Sequence, residues 1–539
     1  MNESRWERNA VLIVLLLCGA TLRAFRLDFQ SLWTDEIFTL LAAGDEFWKI
    51  IINPFDPDVP GLYYLIVHPL LLMSDQAWLL RLPSALFGTF SIILLYLVTK
   101  SWIGEAAAVV AAALIALSPF HIWYSQEARP YSLLLFLALL SLWLLQKTIS
   151  SPQNLWSRFG FVFAAAASFY CHPVAMVFIG FLGIYALWQT PRQRWTSWLP
   201  LFSAIAVLVA PALYRMLMIP PTDAEDPFRS SYNPIYILYG LWTFATGYSL
   251  GPSLTELHLP NRVGTLVTYL YLIVPSTLFF AAVFLHGVIR LQQKARAIFL
   301  MNALWFAIPL AGAVFGSIIS SHPFNVRYAI LSFPPFLIFL AAGALNLPRR
   351  WMRASVVSAL LLVSLVSLHN YYFDERYQRE DNRAAGRFLA AHAAPGDLVI
   401  ACADYTLMNI RHYSRRSDLH IVGYTARSEL ESVSNNKAAN GNHEIASVAL
   451  VSAPSVSPSS SSSSVDSLVA DDLRGIIGNS PRVWLFLSRT YHGDRRGDLR
   501  RFFNERFRAG IRFQGDGVEV ICYEQIPNKH TLNERPIPQ

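Results

Sequence analysis

With 539 residues, 54% of them hydrophobic and only 15% charged, and with a positive mean hydropathy, the chain is too apolar for a water-soluble globular protein of its length, so the bilayer is the solvent for most of it. Its net charge of +7 does not indicate nucleic acid as a partner, because the basic residues are scattered between apolar runs and form no patch with interleaved aromatics. The four cysteines, at 18, 171, 402 and 522, have neither CxxC nor Cys/His spacing and indicate neither a zinc site nor a disulfide framework.

Arg5 and Arg8 precede an apolar run over 10–20. The run leads into Leu22, Arg23, Ala24, Phe25 and Arg26 instead of a small-residue cleavage site, so it is expected to be a retained anchor. A bilayer core of about 30 Å takes on the order of 20 apolar residues in a helix. About eleven segments qualify, centred on 10–25, 82–99, 104–118, 131–146, 158–171, 174–190, 198–216, 265–289, 297–319, 328–346 and 353–368. The apolar stretch 61–73, with Pro69 inside it, reaches only about 20 Å at the helical rise and is read as a helix at the membrane surface. With that stretch excluded, Lys100, Lys147, Arg192, Arg290 and Arg349 fall in loops of one side, and Asp35, Glu36, Asp56, Asp58, Glu127, Asp223 and Glu256 in loops of the other. Positive-inside bias then places the N-terminus in the cytoplasm and the outer loops at 27–81, 119–130, 217–264 and 320–327. The membrane part is thus expected to span 1–368.

From His369 the composition becomes that of a soluble chain. Periodicity predicts helices over 382–393, 465–477 and 499–507 and strands over 397–401, 482–488, 511–513 and 518–523. That alternation indicates a small α/β domain over 369–539, on the outer side, with a serine-rich flexible insertion near 454–465. Cys402 and Cys522 each end a predicted strand, and two readings stay open, a bridge or two buried thiols.

The chemistry-bearing residues sit in the outer loops. The first contains Ser31-Leu32-Trp33-Thr34-Asp35-Glu36 and, further on, Asp56 to Tyr64. Transfer of a glycosyl group with inversion needs one carboxylate to take the proton of the attacking hydroxyl, and Asp35 is the candidate base. The competing reading makes Asp35 a helix cap and Glu36 a solvated first-turn acid. The second loop holds Trp123, Tyr124, Glu127, Arg129 and Tyr131 close to the bilayer edge, where ionisable groups are costly and often functional. Its competing reading is a local Glu127 to Arg129 ion pair within an aromatic belt. Arg327, at the mouth of a later span, suits a phosphate, against the reading of a snorkelling side chain. Tyr63, Tyr64, Arg129, His172, His322 and Tyr328 complete the candidate substrate-binding set.

The runs SLWTDEIFT, PGLYYL, RLPSALFG, SPFHIWYSQEARPYS and VRYAILSFPP, in that order over roughly 9–370, resemble bacterial glycosyltransferases of the GT-C superfamily, in the branch of the protein O-mannosyltransferases and the lipid A aminoarabinose transferases. The resemblance implies an inner-membrane enzyme of GT-C architecture with a periplasmic active site. It also implies a polyprenyl-phosphate-linked sugar donor, inversion at the sugar carbon, and a glycolipid, polysaccharide or protein acceptor. By matching motif it assigns catalysis to Asp35, Glu36 and Glu127 and phosphate binding to Arg327. The family often has His-Pro-Pro before Leu-Tyr-Tyr, where this chain has Asp58-Val59-Pro60-Gly61, so no histidine role transfers there. Relatives differ in metal use, and a divalent ion held by Asp35 and Glu127 is permitted without being required. The alternatives are a transporter or flippase of lipid-linked sugars, which would place ionisable residues near the membrane midplane within repeats, and a non-catalytic scaffold.

Overall fold

The computed structural model describes residues 3–52, 61–218, 234–258, 261–320, 324–425, 473–478 and 480–525. Asp56, Asp58, Asp223, His322, the serine-rich insertion and most of the predicted helix 465–477 lie outside the described residues. Within them, seven helices are long and apolar enough to cross a membrane: Ala77–Ile103, Tyr131–Ser150, Arg192–Met218, Leu270–Lys294, Arg296–Ile319, Val326–Leu345 and Arg350–Phe373. An eighth arises if Glu105–Ala116 and Pro119–Ser125, bent by 57° at their junction, form one span. The expected eleven segments all coincide with helices, but length and composition support seven or eight spans. Leu155–Cys171 has 17 residues and Ala175–Gln189 has 15, and the latter reaches only about 23 Å. The stretch with Pro69 forms the ten-residue helix Leu62–Leu71, too short to span.

Burial sorts these helices into centre and periphery. The apolar windows of Val326–Leu345 and Ala77–Ile103 are 89% and 67% buried, whereas those of Arg192–Met218 and Leu270–Lys294 are 17% buried and turn apolar faces outward. Leu270–Lys294 nevertheless touches Phe333–Leu345 backbone to backbone. A Cβ added to Gly287 would lie 2.0 Å from the Phe339 carbonyl oxygen, and one added to Gly343 would lie 2.0 Å from that of Val283. Only glycine permits that approach, as at small-residue helix crossings in membranes.

The bend after Ala116 has a local cause. Ser118 caps the short helix by accepting from the His121 N–H at 3.1 Å, and Pro119 occupies its first turn. Carbonyls at the end of the preceding helix are met by Arg23, a fully buried residue of helix Glu3–Ala24. Its guanidinium donates to the Ile115 and Ala116 oxygens at 3.1 and 3.2 Å and to His121 Nδ1 at 2.7 Å. Gln126 then donates to the Arg23 and Phe25 carbonyls at 3.0 and 2.8 Å. These bonds fasten the second loop to the end of the first helix and so fix where Glu127 and Arg129 emerge.

The first loop is fastened by a buried ion pair. Glu36, in helix Thr34–Ala43, has no solvent exposure. Arg81 donates from Nε and Nη2 to its two oxygens at 2.7 Å each, and also to the Leu27, Gln30 and Ser31 carbonyls. The Ala128 N–H of the second loop adds a bond of 2.8 Å to the same carboxylate. Two loops are thereby held to one charged centre.

The C-terminal domain is a five-stranded mixed sheet of order β2-β1-β3-β5-β4, with β1 Leu398–Cys402, β2 His420–Tyr424, β3 Arg482–Ser488, β4 Phe507–Gly515 and β5 Val518–Gln525. The first two strands pair in parallel with each other, β1 pairs in parallel with β3, and β5 runs antiparallel to both β3 and β4. The α/β expectation holds, and β2 is an element the sequence reading lacked. Cys402 and Cys522 are both buried thiols. They belong to the apolar clusters on opposite faces of the sheet, so the backbone keeps them from bridging.

Removing one member of the Glu36–Arg81 pair leaves a buried charge short of its partner, a loss of about 3–5 kcal/mol. Arg81→Met and Glu36→Gln are each expected to lower the thermal unfolding midpoint of the detergent-solubilised protein markedly, and the double variant is expected to recover part of the loss. Single variants that unfold with the wild type would show that the loops are held by something else.

Candidate active site

Asp35 stands at the start of helix Thr34–Ala43, just past the buried turn made by Ser31 and Leu32. Its neighbour Glu36 points inward to Arg81, which turns Asp35 the other way. Asp35 Oδ2 accepts from Arg327 Nη1 at 2.6 Å. Burial pushes this carboxyl up, but Arg327 and then Arg129 outweigh it and hold Asp35 below the usual range, ionised. Arg327 opens the helical turn Val326–Ser332, where Asn325 caps by accepting from the Arg327 N–H at 3.1 Å. Its guanidinium lies over the rings of Tyr328 and Tyr131 at 5.3 and 5.7 Å.

Glu127 is 2% exposed and accepts from Arg379 Nη2 at 2.5 Å. The same guanidinium reaches Glu36 Oε2 at 3.3 Å through Nη1. It sits between the indoles of Trp123 and Trp33, 4.7 and 5.1 Å from their centroids. Burial pushes the Glu127 carboxyl up to about 7 despite Arg379, with Glu36 and Asp35 adding to the rise. Glu36, by contrast, is lowered: burial raises it, and Arg81 overcomes that. Three acids of similar origin therefore have different charge behaviour, with Asp35 and Glu36 ionised and Glu127 poised near neutrality.

Asp35, Glu127 and Arg327 line one cavity of about 950 Å³ at the end of the bundle that carries the soluble domain. One flank is apolar and aromatic, with Ile235, Tyr236, Tyr239, Val263, Leu266 and Phe324. The opposite wall comes from the soluble domain and its connection: Arg379, Glu380, Tyr405, Arg489, Tyr491 and His492. Arg489 donates to Glu380 at 2.8 Å and lies 5.3 Å from the Trp33 ring. Tyr405 Oη and His492 Nδ1 are 2.6 Å apart, and His258 of the membrane half stacks on Tyr491 at 4.6 Å.

Several expectations change against this geometry. Glu36 is neither solvated nor turned to the cavity; its carboxylate is a buried anchor. The local Glu127 to Arg129 pair gives way to Arg379, and the Arg129 guanidinium instead donates to the Asp35 carbonyl and Thr39 at 3.3 and 3.4 Å, behind the helix. Tyr63 and Tyr64 are wholly buried in the core, with the Tyr63 hydroxyl 2.8 Å from Ser84 Oγ, because the ten-residue helix packs inward. His172 lies between Tyr131 and Tyr328 and does not line the cavity. Tyr328 likewise stands behind Arg327. As for a metal, among the described residues no three His, Cys, Asp or Glu side chains converge. Asp35 and Glu127 are each taken by a guanidinium, so this donor set does not fit a divalent ion.

Arg379, Glu380 and Arg489 were not anticipated. The first two belong to the charge-dense run Glu375 to Asp381 directly after the last span, and that position was the available signal. Arg489 follows β3 in a left-handed conformation, φ 52°, and nothing in its sequence neighbourhood pointed to the cavity.

Residues 56–215 match the family described as dolichyl-phosphate-mannose-protein mannosyltransferase. A putative mannosyltransferase of Bacillus subtilis, YkcB, is 28% identical over 236 residues, covering 41% of this chain and 32% of the relative. This chain thus matches about a third of that relative's length. ArnT from Cupriavidus metallidurans bound to undecaprenyl phosphate superposes with a TM-score of 0.54 at 14% identity, covering 98% of this chain and 99% of ArnT. The apo form of ArnT gives 0.57 at 12% identity, with 96% and 98% covered. The chain is a multi-pass membrane protein with the GT-C fold, resembling the protein O-mannosyltransferases and ArnT.

Proposed function

We infer that the chain is an inverting glycosyltransferase that moves a sugar from a polyprenyl-phosphate carrier to a hydroxyl acceptor at the periplasmic face of the inner membrane. The observation that carries this reading is the cavity in which an ionised aspartate, a second carboxylate and an arginine meet beside an apolar flank. A phosphate with a long hydrocarbon chain needs a cation at one end and apolar walls beyond it, and Arg327 with the flank of Ile235, Tyr239, Val263 and Leu266 offers both. The solved relative bound to undecaprenyl phosphate and the mannosyltransferase names of the family and the Bacillus protein make polyprenyl-phosphate mannose the first donor to test.

The proposed reaction begins when the donor phosphate draws Arg327 from Asp35. The carboxylate so released accepts the acceptor's hydroxyl proton while the oxygen attacks the anomeric carbon from the face opposite the phosphate. The new C–O bond forms as the old one breaks, and the polyprenyl phosphate leaves with the electron pair, its charge held by Arg327. Glu127, ionised, accepts a hydrogen bond from the acceptor and orients it.

Asp35→Asn should abolish release of undecaprenyl phosphate from undecaprenyl-phosphate mannose by purified protein, while membrane insertion and undecaprenyl phosphate binding persist. Full turnover in that variant would remove Asp35 from the mechanism. The raised Glu127 binds its proton below about pH 7, so the ionised form gains with rising pH. Turnover should climb through that region, and Glu127→Gln should turn slowly with this limb absent. A wild-type rate flat across neutrality would argue that the charge of Glu127 is irrelevant to transfer.

A further inference from the structure

Arg379 lies in neither acidic loop, yet it is the cation hydrogen-bonded to Glu127. Its side chain is 7% exposed, and one planar fork spans carboxylates from two loops, Glu36 at 3.3 Å and Glu127 at 2.5 Å. The indoles of Trp33 and Trp123 lie against it, their centroids 5.1 and 4.7 Å away. Its backbone is positioned by the soluble domain. The next residue, Glu380, gives its carbonyl to Ser31 Oγ at 2.6 Å and its carboxylate to Arg489, beyond β3. Asp381 then donates its N–H to the Asp516 carbonyl in the turn between β4 and β5 at 2.8 Å. Further bonds seal the same seam, from the Leu32 N–H to Tyr413 Oη at 2.6 Å and from Asn409 to Thr34 Oγ1 at 3.3 Å.

We propose that Arg379 is a positioning residue by which the soluble domain completes the membrane site: docking of that domain sets the guanidinium between Glu36 and Glu127 and fixes the orientation and charge of Glu127. The chemistry is specific to arginine. A lysine ammonium on a flexible stem meets one carboxylate well, whereas the planar fork meets two in a fixed geometry. The other groups facing Glu127 do not replace it. Glu36 and Asp35 oppose its ionisation, Arg327 favours it without a hydrogen bond and is paired with Asp35, and Tyr124, Tyr248, Tyr371 and Tyr63 are neutral hydroxyls. Truncation or displacement of the soluble domain would therefore silence the membrane site without touching any acid in it.

The inference rests on the glycosyl-transfer reading for its consequence, but its test does not. The full-length protein in lipid nanodiscs is titrated between about pH 5 and 9 while the protonated-carboxyl infrared stretch is followed, with Glu127→Gln identifying the band that belongs to Glu127. The wild-type midpoint is expected near 7. In Arg379→Gln it should move upward by about one unit or more, the scale of losing an adjacent arginine. Arg379→Lys should restore part of the shift and keeps the test decisive if the glutamine variant does not fold. A midpoint in either folded variant that coincides with the wild type overturns the proposal. Transfer from undecaprenyl-phosphate mannose, assayed in parallel, should show its pH limb displaced by the same amount. A displaced infrared midpoint with no transfer by the wild type would count against the donor reading and leave the role of Arg379 standing.

Discussion

A carboxylate withdrawn from water costs several kcal/mol unless cations and N–H groups meet it, and Glu36 is met on every side. Arg81 grips both oxygens, Arg379 adds a third guanidinium nitrogen, and the Ala128 and Trp33 N–H groups complete the shell. The partners come from the second long helix, the junction to the soluble domain, the second loop and the first loop itself. One buried charge therefore fixes four pieces of chain that are remote in sequence. Asp35, one residue before it, inherits its direction from that constraint, since a helix cannot turn both adjacent side chains inward.

The same constraint explains why the two halves of the molecule form one site. Charges alternate from Arg81 through Glu36 and Arg379 to Glu127, and again from Arg489 through Glu380 at the seam. Each acid supplied by a membrane loop is met by a cation from another piece of the chain, Glu36 by Arg81 and Arg379, Glu127 by Arg379 and Asp35 by Arg327. The indoles of Trp33 and Trp123 lie 5.1 and 4.7 Å from the Arg379 guanidinium, and the burial of these charges strengthens their interactions. The cavity is walled on one side by membrane helices and on the other by the soluble domain and its connection, an arrangement that, on the glycosyl-transfer reading, would let a lipid-linked donor and an acceptor meet.

Much of this architecture was legible in the sequence, for identifiable reasons. Apolar runs locate helices because the bilayer leaves few alternatives, and ionisable residues at helix ends such as Asp35, Glu127 and Arg327 stand out because lipid makes them costly. What escaped is what depends on convergence. Arg379 lies 252 residues from Glu127, and only the folded seam brings them together. The orientation of Glu36 depended on Arg81, an arginine inside an apolar run whose partner no local pattern names. Tyr63 and Tyr64 looked available because their short helix was placed at the surface, whereas packing over Ser84 buries them. Length and composition support seven or eight of the eleven expected spans, because the apolar helices Asn9–Ala24, Leu155–Cys171 and Ala175–Gln189 coincide with apolar runs but are shorter than the long crossings.

The pairing of Asp35 with Arg327 answers a question that isolated residues do not. A general base works best when its proton affinity is close to the working range, yet the arginine holds Asp35 well ionised and weakly basic. As they stand, the two charges compensate each other in a partly buried site. A phosphate competes for a guanidinium with the same bidentate geometry as a carboxylate. Its arrival would free Asp35 and raise its proton affinity at the moment a leaving group is in place. Burial, the first influence on Asp35, then acts unopposed by its strongest cation. On the glycosyl-transfer reading, the resting ion pair would couple the strength of the base to occupancy of the phosphate site.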